Sequence, residues 1–235
     1  MSDRVREVAA SLHEVRTRIE EACRAAHRSD NVTLLVVTKT FPASDVEILA
    51  GLGVTEVGEN RDQEAKAKWA EVTDVPMRWH MIGQVQRNKA ASIARWADVV
   101  ESVDRLALVE PLSRGAVQAD RVLEVLIQVN LDPEQRPERG GIAAADAQEL
   151  AEAVAAASGL RVGGVMGVAP GPADGADPKT AFALLEQVHA LIRADHPDAR
   201  VVSAGMSGDL EIAISHGATQ VRVGGAILGS RPLVQ

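Results

Sequence analysis

Residues 201–229, VVSAGMSGDLEIAISHGATQVRVGGAILG, contain one full unit of the chain's rhythm. The run 201–203 is strand-like, the pattern over 209–215 is helical, and 220–223 is a second apolar strand. Gly224 and Gly225 then open another short helix. Strand, helix and strand in this order pair in parallel, because the helix carries the chain back along the face of the sheet. Glycine stands at both strand-to-helix turns, where the backbone bends sharply or admits a ligand closely.

The same unit repeats back toward the N-terminus. Strand-like runs occur near 32–38 (VTLLVVT), 54–57, 78–82, 99–103, 124–129 and 161–166, and helical patterns fill 44–51, 62–70, 91–96, 105–119, 144–157 and 178–194. Short apolar, β-branched runs are those of strands covered on both faces. About eight such units close a barrel, so the expected fold is α/β, a single (β/α)8 TIM barrel over residues 1–235. An open doubly wound sheet is the alternative packing of the same elements. Val5, Val8, Leu12, Val15, Ile19 and Ala22 recur at helical spacing, so residues 1–30 are expected to add an N-terminal helix packed on the barrel. Two pieces rich in Gly, Pro and Asp, 132–141 and 170–178, follow strands and belong to the C-terminal rim, where barrel active sites are built.

The bulk numbers exclude several classes. Twenty-five Lys and Arg against thirty-three Asp and Glu give a net charge of -8, a field that repels nucleic acid and anionic membranes. Any phosphate bound here must be held locally. Cys23 is the only cysteine, so no disulfide forms within the chain, which suits a reducing compartment. The N-terminus is amphipathic and charged, and no stretch approaches the roughly 20 apolar residues of a membrane span. A cytoplasmic protein is expected. The histidines lack metal-ligand spacing, and no metal is assigned.

In a barrel, polar residues just after strands converge on one mouth. Here these are Lys39, the group Gly58, Glu59 and Asn60, then Gly83, Gln84, Asn130, Gly205, Met206, Ser207, Gly224 and Gly225. Glycine and Ser207 ahead of one helix, and Gly224 and Gly225 ahead of another, offer backbone N–H groups to a phosphate after strands seven and eight. Lys39 has two readings. A strand-end lysine ordinarily carries its ammonium out to solvent. Inside a barrel mouth it loses hydration, its pKa falls, and the free amine condenses with an aldehyde. A phosphate held opposite selects a phosphorylated aldehyde, and pyridoxal 5'-phosphate (PLP) meets both requirements. His80, inside the strand WHMIG, is either a satisfied core histidine or a mouth-facing group. Arg222, in an otherwise apolar strand, needs a partner, either a structural salt bridge or a ligand.

Five motifs in order carry a family resemblance: TKTFP around Lys39, VGENRDQE around Asn60, WHMIGQVQRNK from Trp79, QVNLD from Gln128, and SAGMSGDLEIAISHGATQVRVGGAILGSR from Ser203. They resemble the PLP homeostasis protein family, whose members look like the N-terminal barrel domain of alanine racemase without its second domain. The resemblance implies Lys39 as the Schiff-base lysine, Ser207, Gly224 and Gly225 at the phosphate, Asn60 and Met206 beside the cofactor, and Arg222 near the pyridine nitrogen. Gly225 stands where the family often has a hydroxyl residue, and Arg61 where it often has tyrosine.

The resemblance implies a PLP-binding protein of vitamin B6 homeostasis, with PLP-requiring apoenzymes as partners. Two alternatives use the same lysine. One is a PLP-dependent amino-acid racemase or other fold-type III enzyme, and the other is a phosphosugar-binding Schiff-base barrel. Racemases of this fold draw a tyrosine from a second domain, and this sequence contains no tyrosine. Without that domain's dimer interface a monomer is expected.

Overall fold

The computed structural model describes residues 2–171 and 177–229. Residues 172–176 of the loop expected at 170–178, and Ser230 and Arg231 at the end of the last motif, lie outside the described residues. Eight strands close a barrel in sequence order: β1 (Thr33–Val37), β2 (Glu56–Glu59), β3 (Arg78–Met81), β4 (Val99–Val103), β5 (Leu123–Val129), β6 (Leu160–Gly167), β7 (Val201–Ser203) and β8 (Gln220–Val223). Every neighbouring pair is parallel, and β8 returns to β1 with Leu35 opposite Arg222 and Val36 opposite Val223. Closure rules out the open sheet.

Period-two alternation sorts each strand's side chains between two environments. Val36, Val57, Val100, Val125, Ile127, Val165, Val202, Val221 and Val223 point outward and are buried in the main core against the helices. Those helices are α1 (Asp3–Ala25), α2 (Ala43–Gly51), α3 (Asp62–Glu71), α4 (Ala90–Trp96), α5 (Val109–Gln118), α6 (Ala147–Ala156), α7 (Pro178–Asp195), α8 (Leu210–Ser215) and α9 (Gly225–Leu228). Inside the barrel the apolar part is small, with Val99, Leu126 and Met166 packed on Val201.

The four-residue α9 is too short to cover the seam between β8 and β1. Helix α1 contacts α8, α9 and α2 and does so instead. Ser2 caps it by accepting a hydrogen bond from the Val5 N–H, and Val8, Leu12, Val15, Ile19 and Ala22 are buried. Val5, expected on that face, is only half-buried. Two arginines pin the helix. Arg4 pairs with Asp45 at 2.7 Å and donates to the Leu228 carbonyl, while Arg18 pairs with Glu211 and donates to the Ser207 carbonyl at 3.0 Å.

The strands lie where the sequence places them, with one instructive displacement. The second was expected at 54–57 and spans Glu56–Glu59. Glu59, expected just after the strand, is therefore a strand residue alongside Glu56, and it points toward α3 rather than into the mouth. Carboxylates on both faces of a strand contradict the apolar pattern, and each has a buried basic partner described below, Lys68 for Glu59 and His80 for Glu56.

Candidate functional site

Because the strands are parallel, their C-terminal ends form one rim. Register sets Val37 beside Gly58 and Val36 beside Val223, so Lys39 and Asn60 follow adjacent strand ends, with Gly224 on the other side of Val37. The fit on that side is close. A Cβ on Gly224 would stand 2.9 Å from the Val37 carbonyl oxygen.

Lys39 sits in a tight turn closed by the Phe41 N–H donating to the Thr38 carbonyl at 3.1 Å. The next residue, Thr40, has φ of 70°, a region a β-branched residue seldom enters and where glycine is the usual occupant. Such strain persists only where the surroundings over-determine the backbone. They do so here. The Lys68 ammonium, on α3, donates to the Thr38 carbonyl at 2.8 Å and to Glu59 Oε1, and the Thr38 hydroxyl donates to the same carboxylate oxygen at 2.6 Å. All three side chains are buried, and Glu59 Oε2 has no hydrogen-bond partner among the described residues. Lys68 thus clamps the residues immediately before Lys39 and Asn60. Lys39 itself is half-buried. Gly83 completes this side, since a Cβ there would lie 2.1 Å from the Asn60 carbonyl oxygen.

Across the rim, Met206 and Ser207 are exposed in the turn before α8. Asp209 braces that turn by accepting the Met206 N–H at 2.6 Å, and Arg18 holds its Ser207 carbonyl. A Cβ added at Gly208 or at Gly225 would meet nothing within 4 Å, so both glycines border open space. Gly225 begins α9, and the first amides of a helix have no earlier turn to bond. Open room, the first amides of α9 and a lysine on the adjoining strand fit a phosphorylated aldehyde such as PLP. No cationic side chain is needed at the phosphate if the backbone carries it.

Below the mouth lies a polar column. Arg222, 5% exposed, donates to Ser203 Oγ at 2.7 Å and to the Gly167 carbonyl at 2.8 Å. Ser203 Oγ donates to Glu101 Oε2 at 2.6 Å, and Gln220 donates to Glu101 Oε1 at 2.7 Å. His80 Nδ1 lies 2.7 Å from Glu101 Oε1, while its Nε2 lies 2.7 Å from Glu56 Oε2, off the line of a hydrogen bond. Burial opposes charge on His80, but the Glu101 hydrogen bond and the charges of Glu101 and Glu56 outweigh it and raise the imidazole above its ordinary 6.5. Burial likewise opposes the Glu101 carboxylate, yet His80, Arg222 and Ser203 hold it below its usual range. Burial lowers the Arg222 guanidinium from its ordinary value.

His80 is thus a partnered interior residue below the rim, and Arg222 has both a structural tie and a place near the mouth. Asn130 is buried, its Oδ1 accepting the Asp132 N–H, so it shapes the loop 132–141. Arg61 is exposed and pairs with Glu64. Glu101, Ser203, Gln220, Lys68 and the outward role of Glu59 were missed. The available signal was Glu101 within VVESV, since a carboxylate in a fully buried strand requires a partner. A cleft of about 590 Å³ at the barrel's other end is lined by Arg16, Arg24 and Arg28. Arg16 and Arg28 are already committed to main-chain carbonyls there, so it reads as a packing seam.

Residues 10–232 match the family model described as alanine racemase, N-terminal domain. The pyridoxal phosphate homeostasis protein of Corynebacterium glutamicum is 44% identical over 227 residues, covering 93% of this chain and 100% of the relative. The chain belongs to the pyridoxal phosphate homeostasis protein family. The PLP-bound structure of PipY from Synechococcus elongatus superposes with a TM-score of 0.79 at 31% identity, covering 94% of this chain and 100% of PipY. Alanine racemase from Corynebacterium glutamicum shares the fold, with a TM-score of 0.69 at 16% identity over 95% of this chain and 60% of the racemase.

Proposed function

We infer that this chain binds PLP covalently through Lys39 and serves PLP homeostasis, holding the cofactor for PLP-requiring apoenzymes. The observation that carries the reading is the meeting of Lys39, on its clamped and strained turn, with the glycine-bordered space after β7 and β8 at one barrel mouth. PLP supplies an aldehyde that an amine can capture and a ring able to stabilise a carbanion.

The chain's own residues set how that chemistry is used. The clamp from Lys68 and Glu59 fixes the Thr38 carbonyl, which limits where the Lys39 amine can reach. Ser207 and the backbone at Gly224 and Gly225 would take the phosphate, Asn60 and Met206 would lie beside the ring, and Arg222 would stand near its nitrogen. A cation there would keep the ring nitrogen unprotonated and so damp carbanion chemistry relative to a carboxylate partner. The sequence has no tyrosine to act as a second acid–base group. Retention of PLP follows from this arrangement more readily than racemisation. A single half-buried cysteine fits residence in the reducing cytoplasm, and among the described residues no helix is long and apolar enough to cross a membrane. In solution the chain is a monomer.

Adding PLP to the purified chain should produce a visible Schiff-base absorbance band, and incubation with L-alanine should yield no D-alanine. A chain that stays colourless overturns the binding. Sustained racemisation overturns the carrier role in favour of an enzyme.

A further inference from the structure

The polar column inside the barrel carries a further inference, which rests on the reading that PLP occupies the mouth. Both nitrogens of His80 lie 2.7 Å from carboxylate oxygens, Nδ1 from Glu101 on β4 and Nε2 from Glu56 on β2. A neutral imidazole has only one N–H. One contact would then hold an unprotonated, electron-rich nitrogen 2.7 Å from a carboxylate oxygen, off the line of a hydrogen bond but in the dry interior, where such repulsion is strongest. The trio therefore holds one proton more than a neutral histidine and two carboxylates would.

Charge alternates along the column. Arg161 on β6 and Arg78 on β3 both pair with Glu124 on β5. Arg78 also lies 3.7 Å from Glu56, then come His80 and Glu101, and Arg222 on β8 stands 4.0 Å from Glu101. The neutral members are Ser203 on β7 and Gln220 on β8. Glu101 is the junction, touching His80, Gln220 and Ser203, and Ser203 in turn receives Arg222.

We propose that His80 is a positioning residue: as an imidazolium between Glu56 and Glu101 it balances the Glu101 charge, and through Ser203 it holds Arg222 toward the cofactor ring. A proton deep in the barrel thereby sets the electrostatics of the PLP site. When His80 loses that proton, Glu101 is left with Arg222 as its nearest cation. The guanidinium is then drawn down toward the carboxylate and away from the mouth.

Two arms test this, one without cofactor. In the apo chain, a histidine whose folded pKa is raised binds its proton over a range where the unfolded chain has lost it. Its stabilisation is complete below about pH 6.5 and declines as pH rises through the folded value. Wild-type apo protein should lose stability with rising pH across that window, whereas His80→Gln should show no such loss. In the PLP-loaded chain, the pH profile of the visible band should carry a transition that His80→Gln removes. Glu56→Gln, which keeps the Glu101 side intact, should move both transitions down by about 1–3 pH units, and it serves if His80→Gln fails to fold.

Matching transitions in the two arms, both shifted by Glu56→Gln, support the proposal. An apo transition with an unaltered holo profile overturns it, because His80 would then be structural only. The absence of any apo difference also overturns it. A wild-type chain that forms no visible band fails earlier, at the function reading, and is recognised as such because the apo arm is still readable.

Discussion

The two faces of the same eight strands are built on opposite chemistry. Outward, Val36, Val100, Val125, Ile127 and Val165 are fully buried apolar side chains against the helices. Inward, Glu56, His80, Glu101, Ser203, Gln220 and Arg222 form a connected polar column. The outer face tolerates change locally, since each aliphatic side chain contributes area on its own account. The inner face does not, because removing one member leaves its neighbours buried without partners. Stability is distributed outside the barrel and pooled inside it.

The largest expected effect is therefore inward. Glu101→Leu strands His80 and Arg222 together and should cost about 3–5 kcal/mol in urea unfolding. Adding His80→Leu should recover part of this, with a coupling of about 1–3 kcal/mol. Outward, Ile127→Ala should cost about 3 kcal/mol through lost transfer energy and a cavity. Combined with Val36→Ala on the far side of the barrel, its effect should add to within about 0.5 kcal/mol. Equal coupling on the two faces would erase the distinction. Smallest is Arg18→Ala, which removes an exposed pair with Glu211 and should change stability by no more than about 1 kcal/mol. Because Arg18 also holds the Ser207 carbonyl, it should weaken PLP retention more visibly than it weakens the fold.

The difference between the faces also explains what the sequence disclosed. The outer face writes itself as β-branched runs, so all eight strands and the parallel barrel were legible, as was α1 from its apolar spacing. Inner-face residues are read one at a time, and their partners lie far along the chain. Glu101 and Ser203 are 102 positions apart, and Glu101 and Gln220 are 119 apart. Nothing local says that His80 sits between two carboxylates. The β2 boundary shifted for the same reason, since Glu59 looks like a loop residue until Lys68 is placed beside it. That Lys39, Asn60, Ser207, Gly224 and Gly225 share one rim was legible because strand ends and glycine turns mark themselves. The clamp behind Lys39, and the strained Thr40 after it, belong to tertiary structure alone.

The central claim is covalent capture at Lys39. Loading the chain with PLP, reducing with borohydride and mapping the modified peptide by mass spectrometry tests it most directly. The account predicts one adduct on Lys39, with Lys66, Lys68, Lys89 and Lys179 unmodified, and no adduct in a Lys39→Ala variant that still folds. An adduct on another lysine, or one that survives Lys39→Ala, would contradict it.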